Sequence, residues 1–221
     1  MSALGRPRLH LRETDSTNER ARELAAAGAP HGTLVTAHVQ TAGRGRQGRR
    51  WEAPAGTALL CSLIVRRSDD LLSLRAGLAV AEVAGPSALV KWPNDVLLEG
   101  RKVAGVLVEG RPQDGWAVVG IGVNVAIEPA ALSERAGTLG RPRSAVEPAL
   151  TELLAALEGW LSAPAGEALA VLRARDALLD RAVSWGGGSG VGAGFDAAGR
   201  LRVRRPGGEV TVLSAGEVHL G

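Results

Sequence analysis

Hydrophobic and polar residues follow first a helical period and then a strand period in the N-terminal part of the chain. Ser16, with Glu19 three residues later, matches a capping box, and the Ala-, Arg-, Glu- and Leu-rich segment after it predicts a helix that stops at Gly28. Two apolar runs, residues 33–39 and 57–65, predict strands. The second run is apolar almost throughout, which is typical of a strand buried on both faces.

The middle of the chain combines further helices with a β-meander. Ser68 and the two aspartates after it predict the start of a second helix, because leucines follow at positions 71, 74 and 78. The Ala, Leu, Glu and Arg content of residues 145–162 and 165–180 predicts two more helices. Between these helices, short strands of the meander are predicted at residues 96–98, 102–109 and 116–125.

The C-terminal segment has a different composition. After Asp180, glycine, valine and arginine predominate, and turn signals such as Pro-Gly-Gly at residues 206–208 separate short apolar stretches. This pattern predicts a small five-stranded β-barrel of about 40 residues. The upstream strands and separate helices predict an α+β fold, a mixed or antiparallel sheet with helices packed on it. We therefore divide the chain into two expected domains, residues 1–177 and residues 178–221.

Composition and charge narrow the class of protein. With 45% hydrophobic and 22% charged residues, the chain has ample material for a core, which must be Leu, Val and Ala because aromatic residues are scarce. The net charge is only +3 and no block of basic residues occurs, so a phosphate-bearing small molecule or an acidic partner fits as well as a nucleic acid. The single cysteine, Cys61, lies in an apolar run and is expected to be a small buried hydrophobe. The N-terminus lacks a signal-peptide core, and no run of about 18 apolar residues occurs, so we expect a cytoplasmic protein without a membrane segment.

Only two of the 26 basic residues are lysines, Lys91 and Lys102, and both lie in one segment. An ammonium is a compact point charge that can follow a phosphate or carboxylate through a reaction, and a guanidinium does not replace it equivalently. The placement of the two lysines therefore indicates a functional site in this segment, and chance is the alternative explanation. Lys102 opens an otherwise apolar strand, and its side chain could equally reach solvent.

A basic, Gly-rich stretch lies between the first two predicted strands. Residues 43–48 fit the pattern Gly-x-Gly-x-x-Gly, but Pro54 and Gly56 follow where a dinucleotide-binding fold needs a helix. A Rossmann site is therefore excluded. The arginines and the closing Trp51 instead predict a loop that grips anions and can place an aromatic ring against a base, with a solvated basic loop as the alternative.

Two other features indicate close approach of a ligand. Asp95, beside Asn94 and after Pro93, is expected at a strand entrance, where one carboxylate suits Mg²⁺; an Asn-Asp turn is the alternative. Gly105 and the Gly-Ile-Gly of residues 120–122 leave strand backbone uncovered, as is common where a ligand approaches. For residues 120–122 a β-bulge is the alternative.

Five segments together resemble the biotin protein ligases in order and spacing: residues 15–18, 40–46, 91–95, 102–105 and 120–124. The resemblance covers residues 12–125 and, less specifically, the C-terminal segment. It implies a catalytic domain followed by an SH3-like barrel. Only about a dozen residues precede Asp15, so we expect the short, monofunctional type without an N-terminal helix-turn-helix, and no specific DNA binding.

The resemblance also implies roles for individual residues. Hydroxyl and amide groups can match the donors and the acceptor of the biotin ureido ring, although the predicted capping box competes for the Ser16 hydroxyl. Lys102, Arg44 and Arg46 would be catalytic, and Asp95 would hold Mg²⁺. The implied biotin site is Ser16, Thr17, Asn18, Gln40, Gly43, Arg44, Gly45, Arg46, Lys102 and Gly105, and the implied ATP site is Arg46, Trp51, Asn94, Lys102 and Asn124.

The activity implied is the formation of biotinyl-AMP from biotin and ATP with Mg²⁺, followed by transfer of biotin to a lysine of a biotin carboxyl carrier domain of a carboxylase. The protein would be a monomer or a homodimer. A lipoate or octanoate ligase is the nearest alternative, but its typical Arg-Arg-x-x-Gly-Gly-Gly segment is absent. A non-catalytic binding module is the alternative from another class.

Overall fold

A seven-stranded mixed sheet forms the larger part of the protein in a computed structural model, which describes residues 4–66, 69–111 and 115–221. Strands β1 (Arg8–Thr14) and β2 (Leu34–Gln40) are parallel, and helix α1 (Thr17–Ala26) connects them, as a parallel pair requires. Strand β1 was missed by the sequence pattern because it is an edge strand whose side chains are mostly exposed on both faces.

The other five strands of this sheet are antiparallel to their neighbours. They are β3 (Ala58–Arg66), β4 (Leu89–Lys91), β5 (Asp95–Leu98), β6 (Arg101–Arg111) and β7 (Trp116–Asn124). Their hydrogen-bonded order after β1 and β2 is β3, β7, β6, β5 and β4. The predicted meander is therefore confirmed, and its last strand, β7, pairs with the buried apolar strand β3.

Three more helices follow: α2 (Leu72–Ala84), α3 (Val146–Ser162) and α4 (Ala165–Ala174). They confirm the predicted positions, except that Ser68 lies outside the described residues. The predicted extension of α4 to residue 180 was wrong, because Arg175 O accepts a hydrogen bond from Val90 N (2.7 Å) and the chain pairs with β4 instead. Within the described ranges, no helix is both long and apolar enough to cross a lipid bilayer.

The core lies on both faces of the large sheet. Successive side chains of β3 point in opposite directions, so Leu63 and Val65 join the cluster beneath α2 and α3, whereas Ile64 joins the cluster beneath α1. Both clusters are closed to solvent. The architecture is therefore three-layered, and α1 is alone on its side of the sheet among the described helices.

The start of α1 corrects one expectation. Ser16 occupies the N-cap position with extended backbone angles (φ −154°, ψ 133°), but its side chain makes no capping hydrogen bond. Its backbone N–H instead donates to Asp15 Oδ1 at 2.7 Å. The predicted capping box was therefore wrong, and the Ser16 hydroxyl is not taken up by the helix.

The C-terminal segment forms a second, five-stranded antiparallel sheet in the order β11-β10-β9-β8-β12. The number of strands agrees with the prediction, but a closed barrel is not confirmed, because no ladder joins the end strands β11 and β12 in the described part of the chain. Trp92 Nε1 donates to Gly199 O (3.2 Å) and links this sheet to the larger one. Its strands are β8 (Ala182–Trp185), β9 (Gly188–Phe195), β10 (Leu201–Arg204), β11 (Val210–Leu213) and β12 (His219–Leu220).

Asp176, in the segment that joins the two sheets, generates a prediction on stability. Its Oδ1 accepts a hydrogen bond from Leu178 N (2.8 Å), but its buried Oδ2 has no hydrogen-bond partner. Burial raises the pKa of this carboxyl to about 6. The folded state therefore holds the proton more tightly than the unfolded chain, and its stability falls as the pH rises from about 4 to about 6.

Asp176→Asn should remove this loss, because it keeps an acceptor for Leu178 N without the charge. We expect a gain on the order of 1–2 kcal/mol in the free energy of unfolding at pH 7.5, and almost none at pH 4. Urea unfolding at several pH values measures the difference, with Asp70→Asn at an exposed position as the control. A gain that does not depend on pH would contradict this account.

Candidate active site

The sequence motifs meet around one cavity. Its walls come from the start of α1, the end of β2, the loop before β3, and strands β4 to β7, and residues 216–218 of the C-terminal segment complete it. This arrangement brings together side chains that are far apart along the chain. Of the predicted site residues, Ser16, Thr17, Asn18, Gln40, Arg44, Gly45, Arg46, Trp51, Asn94, Asp95, Lys102 and Gly105 line this cavity.

Two predicted site residues lie outside it. Gly43 is at the base of the loop before β3, where its carbonyl accepts Trp51 N (3.0 Å) and a Cβ would overlap the Trp51 carbonyl oxygen. Asn124 lines an adjoining cavity on the far side of Lys102 and Trp51. Its Nδ2 donates to Gly137 O (2.8 Å), so this amide supports the backbone of the wall.

Residues 43–51, here called the Arg-rich loop, fold back over the sheet. No α-helix begins there, only a three-residue 3₁₀ turn at Arg46–Gly48, which agrees with the exclusion of a Rossmann site. Arg44 Nη1 donates to Glu19 Oε2 (2.8 Å), and its Nη2 donates to Glu109 Oε1 (2.6 Å). Arg46 Nη1 donates to Asn94 Oδ1 (3.3 Å). Both arginines are therefore fixed by protein contacts, unlike those of a merely solvated loop.

The strand glycines provide room for two side chains. A Cβ at Gly122 would lie 2.5 Å from Trp51 Cε2, and one at Gly105 would lie 3.2 Å from Trp51 Cζ3. A Cβ at Gly120 would overlap the amide of Asn18. The register of β7 with β6 and with β3 is regular at Gly120 and Gly122, so the β-bulge alternative for residues 120–122 was wrong. Side chains of the protein itself approach the strand backbone at these positions, and the approach of a ligand stays a prediction.

Both lysines converge on Asp95. Lys102 Nζ lies 2.7 Å from Asp95 Oδ1 and 5.6 Å from the centre of the Trp51 ring. Lys91 pairs with Asp95 in the β4–β5 register; burial lowers the pKa of Lys91, and Lys102 lowers it further, whereas Asp95 raises it. Burial likewise lowers the pKa of Arg46, and Asp95 again opposes the effect. The result is a cationic wall suited to a phosphate or a carboxylate.

The same carboxylate is the candidate metal ligand. Asp95 Oδ1 is buried and ion-paired with Lys102, and it accepts no hydrogen bond from the described residues. The described residues contain no group of three His, Cys, Asp or Glu side chains that could hold a metal by themselves. One carboxylate beside the Asn94 amide therefore fits a cation such as Mg²⁺, which takes its other ligands from water and phosphate oxygens.

A chain of polar side chains forms the opposite wall. Gln40 Oε1 accepts hydrogen bonds from Thr17 N (2.7 Å) and Thr17 Oγ1 (3.1 Å). Ser62 Oγ lies 2.8 Å from Thr17 Oγ1 and 2.6 Å from Asn18 Oδ1, so its one proton serves two acceptors. Beside them, Cys61 is buried in the floor, and burial raises the pKa of its thiol to about 12.

Sequence reasoning missed several residues of the site. Ser62 could have been found, because it is a hydroxyl in a strand that is otherwise apolar and buried on both faces. Glu109 and Glu217 carried no such signal, since only the folded chain brings Glu109 to Arg44 and Glu217 into an ion pair with Arg49. Lys91 was noted for its rarity but was given no role.

Comparisons with known proteins agree with this geometry. Residues 11–125 match the biotin/lipoate A/B protein ligase family. The biotin–[acetyl-CoA-carboxylase] ligase of Paracoccus denitrificans is 37% identical over an alignment of 241 positions, which includes 96% of this chain and 99% of that protein. The chain belongs to the biotin/lipoate A/B protein ligase family. It is therefore an enzyme of the ligase class, and the resemblance drawn from the five motifs is confirmed.

Two further relatives show how far the likeness extends in this ligase family. The biotin protein ligase from Aquifex aeolicus, solved in complex with biotin and ATP, superposes with a TM-score of 0.79 at 29% identity, over 98% of this chain and 99% of that one. The bifunctional ligase/repressor BirA of Bacillus subtilis is 42% identical over 126 residues. That match covers 52% of this chain and only 39% of BirA.

The contact between Trp51 and Gly122 generates a prediction on this ligase. Gly122→Ala places a methyl group where the indole ring lies, so Trp51 must move away from the sheet. We expect a cost of about 1–3 kcal/mol in the free energy of unfolding and faster tryptic cleavage in the Arg-rich loop. Gly159→Ala is the control, because nothing lies within 4 Å of its added Cβ. Equal protease resistance in the two variants would contradict the packing.

Proposed function

We propose that this ligase attaches biotin to a lysine of a carrier protein in two steps. The carboxylate of biotin attacks the α-phosphorus of ATP, the bond to the β-phosphate breaks, and biotinyl-AMP and pyrophosphate form. The lysine amine then attacks the acyl carbon, loses a proton and displaces AMP. One observation carries the proposal: Lys102 lines the same cavity as Thr17 and Gln40, lies 5.6 Å from the centre of the Trp51 ring, and is ion-paired with Asp95 among the other cations.

Biotin is assigned to the side of the cavity near the start of α1. The Ser16 hydroxyl makes no capping bond, and Thr17 and Gln40 supply further donors and acceptors for a ureido ring. Cys61 and Ile121 add apolar surface beneath them. The proposed biotin contacts also include the Arg-rich loop at Arg44, Gly45 and Arg46, with Gly43 holding the base of that loop, Asn18 behind the wall and Gly105 in the floor.

The first step joins two anions, so positioning and cations should dominate its catalysis. Lys102 is proposed to bind the biotin carboxylate and the α-phosphate together, and Arg44 and Arg46 to close over them. No side-chain nucleophile is needed. The short Lys102–Asp95 contact supports this role, because the Lys102 ammonium already binds an anionic oxygen and can exchange it for oxygens of the substrates.

ATP is assigned to the side near Trp51, whose ring offers a face for the adenine. Asn94 and Asn124 are proposed on the nucleotide side, the second through the wall that it supports. Asp95, with Asn94, would hold Mg²⁺, which when bound supplies positive charge to the phosphates. The buried Asp95 Oδ1, which faces a cation and accepts no hydrogen bond in the described structure, supports this assignment.

The proposed acceptor is a biotin carboxyl carrier domain of a biotin-dependent carboxylase, as the name of the Paracoccus relative implies. Residues 178–221 are proposed as a separate SH3-like unit that helps to cover the cavity. The ion pair between Glu217 and Arg49 and the lining residues 216–218 support this role. Covering the cavity would keep water from the mixed anhydride, whose hydrolysis wastes ATP.

Biotin-dependent exchange between ATP and pyrophosphate, measured with purified protein and Mg²⁺, tests the proposal. We expect exchange with biotin and none with lipoate or octanoate, because only biotin brings a ureido ring to the polar wall. Exchange with lipoate in place of biotin would favour the other branch of the family. A folded protein without exchange for any of these acids would sink the ligase mechanism.

Lys102→Ala should lower the exchange rate by a factor on the order of 10²–10³, because a preorganised cation at the reacting centre is lost. Lys102→Arg should recover only part of the rate, since a planar fork does not replace a point charge. Arg101→Ala, at the exposed neighbouring position of β6, is the control and should keep the normal rate. Near-normal exchange in Lys102→Ala would remove Lys102 from the mechanism.

A further inference from the structure

Glu109, near the end of β6, connects the Arg-rich loop directly to the side-chain amide of Asn18. Its Oε1 accepts a hydrogen bond from Arg44 Nη2 (2.6 Å), and its Oε2 accepts one from Asn18 Nδ2 (2.8 Å). Only 19% of its side chain is exposed, and besides these two partners Arg22 Nη1 lies 4.0 Å from Oε1, so the carboxylate depends mainly on Arg44 and Asn18 for its hydrogen bonds. None of the proposed catalytic steps uses it.

The contacts continue from Asn18 to the polar wall of the cavity. Asn18 Oδ1 lies 2.6 Å from Ser62 Oγ, which lies 2.8 Å from Thr17 Oγ1. Thr17 Oγ1 donates to Gln40 Oε1 at 3.1 Å. Ser62, Asn18 and Thr17 are all buried, so water does not replace these bonds easily.

The Asn18 amide has little freedom to move. Its Nδ2 also donates to Leu107 O (3.3 Å), and its oxygen occupies the space above Gly120 where a Cβ would overlap it. A fixed amide transmits a displacement at one end to the other, because it cannot turn to find new partners. Arg44 and Gln40 are thereby connected through Glu109, Asn18, Ser62 and Thr17.

We propose that Glu109 is a positioning residue that couples closure of the Arg-rich loop to occupancy of the polar wall. This inference rests on the proposed function, in which that wall binds biotin. If Arg44 leaves, the largely buried carboxylate loses its hydrogen-bonded cation and keeps only the longer ion pair with Arg22, so the partner that fixes Asn18 is itself no longer held in place. Since coupling between two sites is reciprocal, biotin on the wall favours the closed loop, and the closed loop strengthens biotin binding.

Glu19 provides a matched comparison. It also accepts a hydrogen bond from Arg44 (2.8 Å), but its other partner is Arg22 on the same helix (3.1 Å). None of its hydrogen bonds and ion pairs in the described structure reaches the polar wall. Removing the charge of Glu19 tests only whether Arg44 needs an anionic partner. Removing the charge of Glu109 tests this and, in addition, the connection to Asn18.

The test compares wild type, Glu109→Gln and Glu19→Gln in two measurements on the full chain. Titration calorimetry gives the dissociation constant of biotin, and trypsin gives the cleavage rate after the arginines of the Arg-rich loop, with and without biotin. For Glu109→Gln we expect about tenfold weaker biotin binding and loss of the protection that biotin gives to the loop. For Glu19→Gln we expect less than about a threefold change, with protection retained.

Gly120→Ala is a second variant that leaves Glu109 in place and displaces Asn18 instead. It should also uncouple the loop from biotin, which a purely electrostatic role of Glu109 does not explain. Full protection and wild-type affinity in Glu109→Gln, or equal effects in Glu109→Gln and Glu19→Gln, would overturn the coupling alone. A wild type that binds no biotin would instead overturn the proposed function, and the coupling with it.

Discussion

Asp95 stands among three cationic side chains, Lys91, Lys102 and Arg46, and the arrangement of the site depends on that carboxylate. Without it, the cations would repel one another in a partly buried cavity, and burial already lowers the pKa of Lys91 and of Arg46. With it, the positive charges have a common counter-ion and the three side chains can lie close together. The site is thereby preorganised for an anion, so little of the binding free energy is spent on assembling it.

The same carboxylate explains why the two lysines sit where they do. Lys91 and Asp95 are paired across β4 and β5, and Lys102 reaches Asp95 from β6, so three adjacent strands supply one cluster. Strands fix these positions more firmly than a loop could. The Arg-rich loop brings the remaining cations, and its contacts with Glu19 and Glu109 hold it against the rigid part of the site.

Much of the fold could be predicted from the sequence, because the strands and helices that face the core carry a clear period. Strand β1 could not, since an exposed edge strand has no apolar period to reveal it. The end of α4 was misplaced because residues 175–180 have helix-forming composition but pair with β4 at residues 175–177 and with β9 at residues 179–180, and such pairing is a tertiary effect. The capping box at Ser16 failed because Asp15, one residue earlier, takes the backbone N–H of Ser16.

The residues that carry the proposed chemistry were predicted better than the residues that hold them in place. Residues such as Lys102 and Trp51 stand in motifs that can be recognised in the chain, and the structure brings them to one cavity. Glu109 and Glu217 stand in no motif, because their partners lie 65 and 168 positions away in the sequence. Polar groups that hold other polar groups leave no local pattern, so only the folded chain reveals them.

The contact between Trp51 and Gly122 has a consequence for how this sequence can change over generations. The Trp51 indole ring occupies the volume that a methyl group at position 122 would need. Substitution at either position alone therefore opens a void or creates a clash. A descendant that acquires a side chain at position 122 must first accept a smaller residue at 51, and would then have to find another surface for the loop. The two positions are therefore expected to change together, although 71 positions separate them in the sequence.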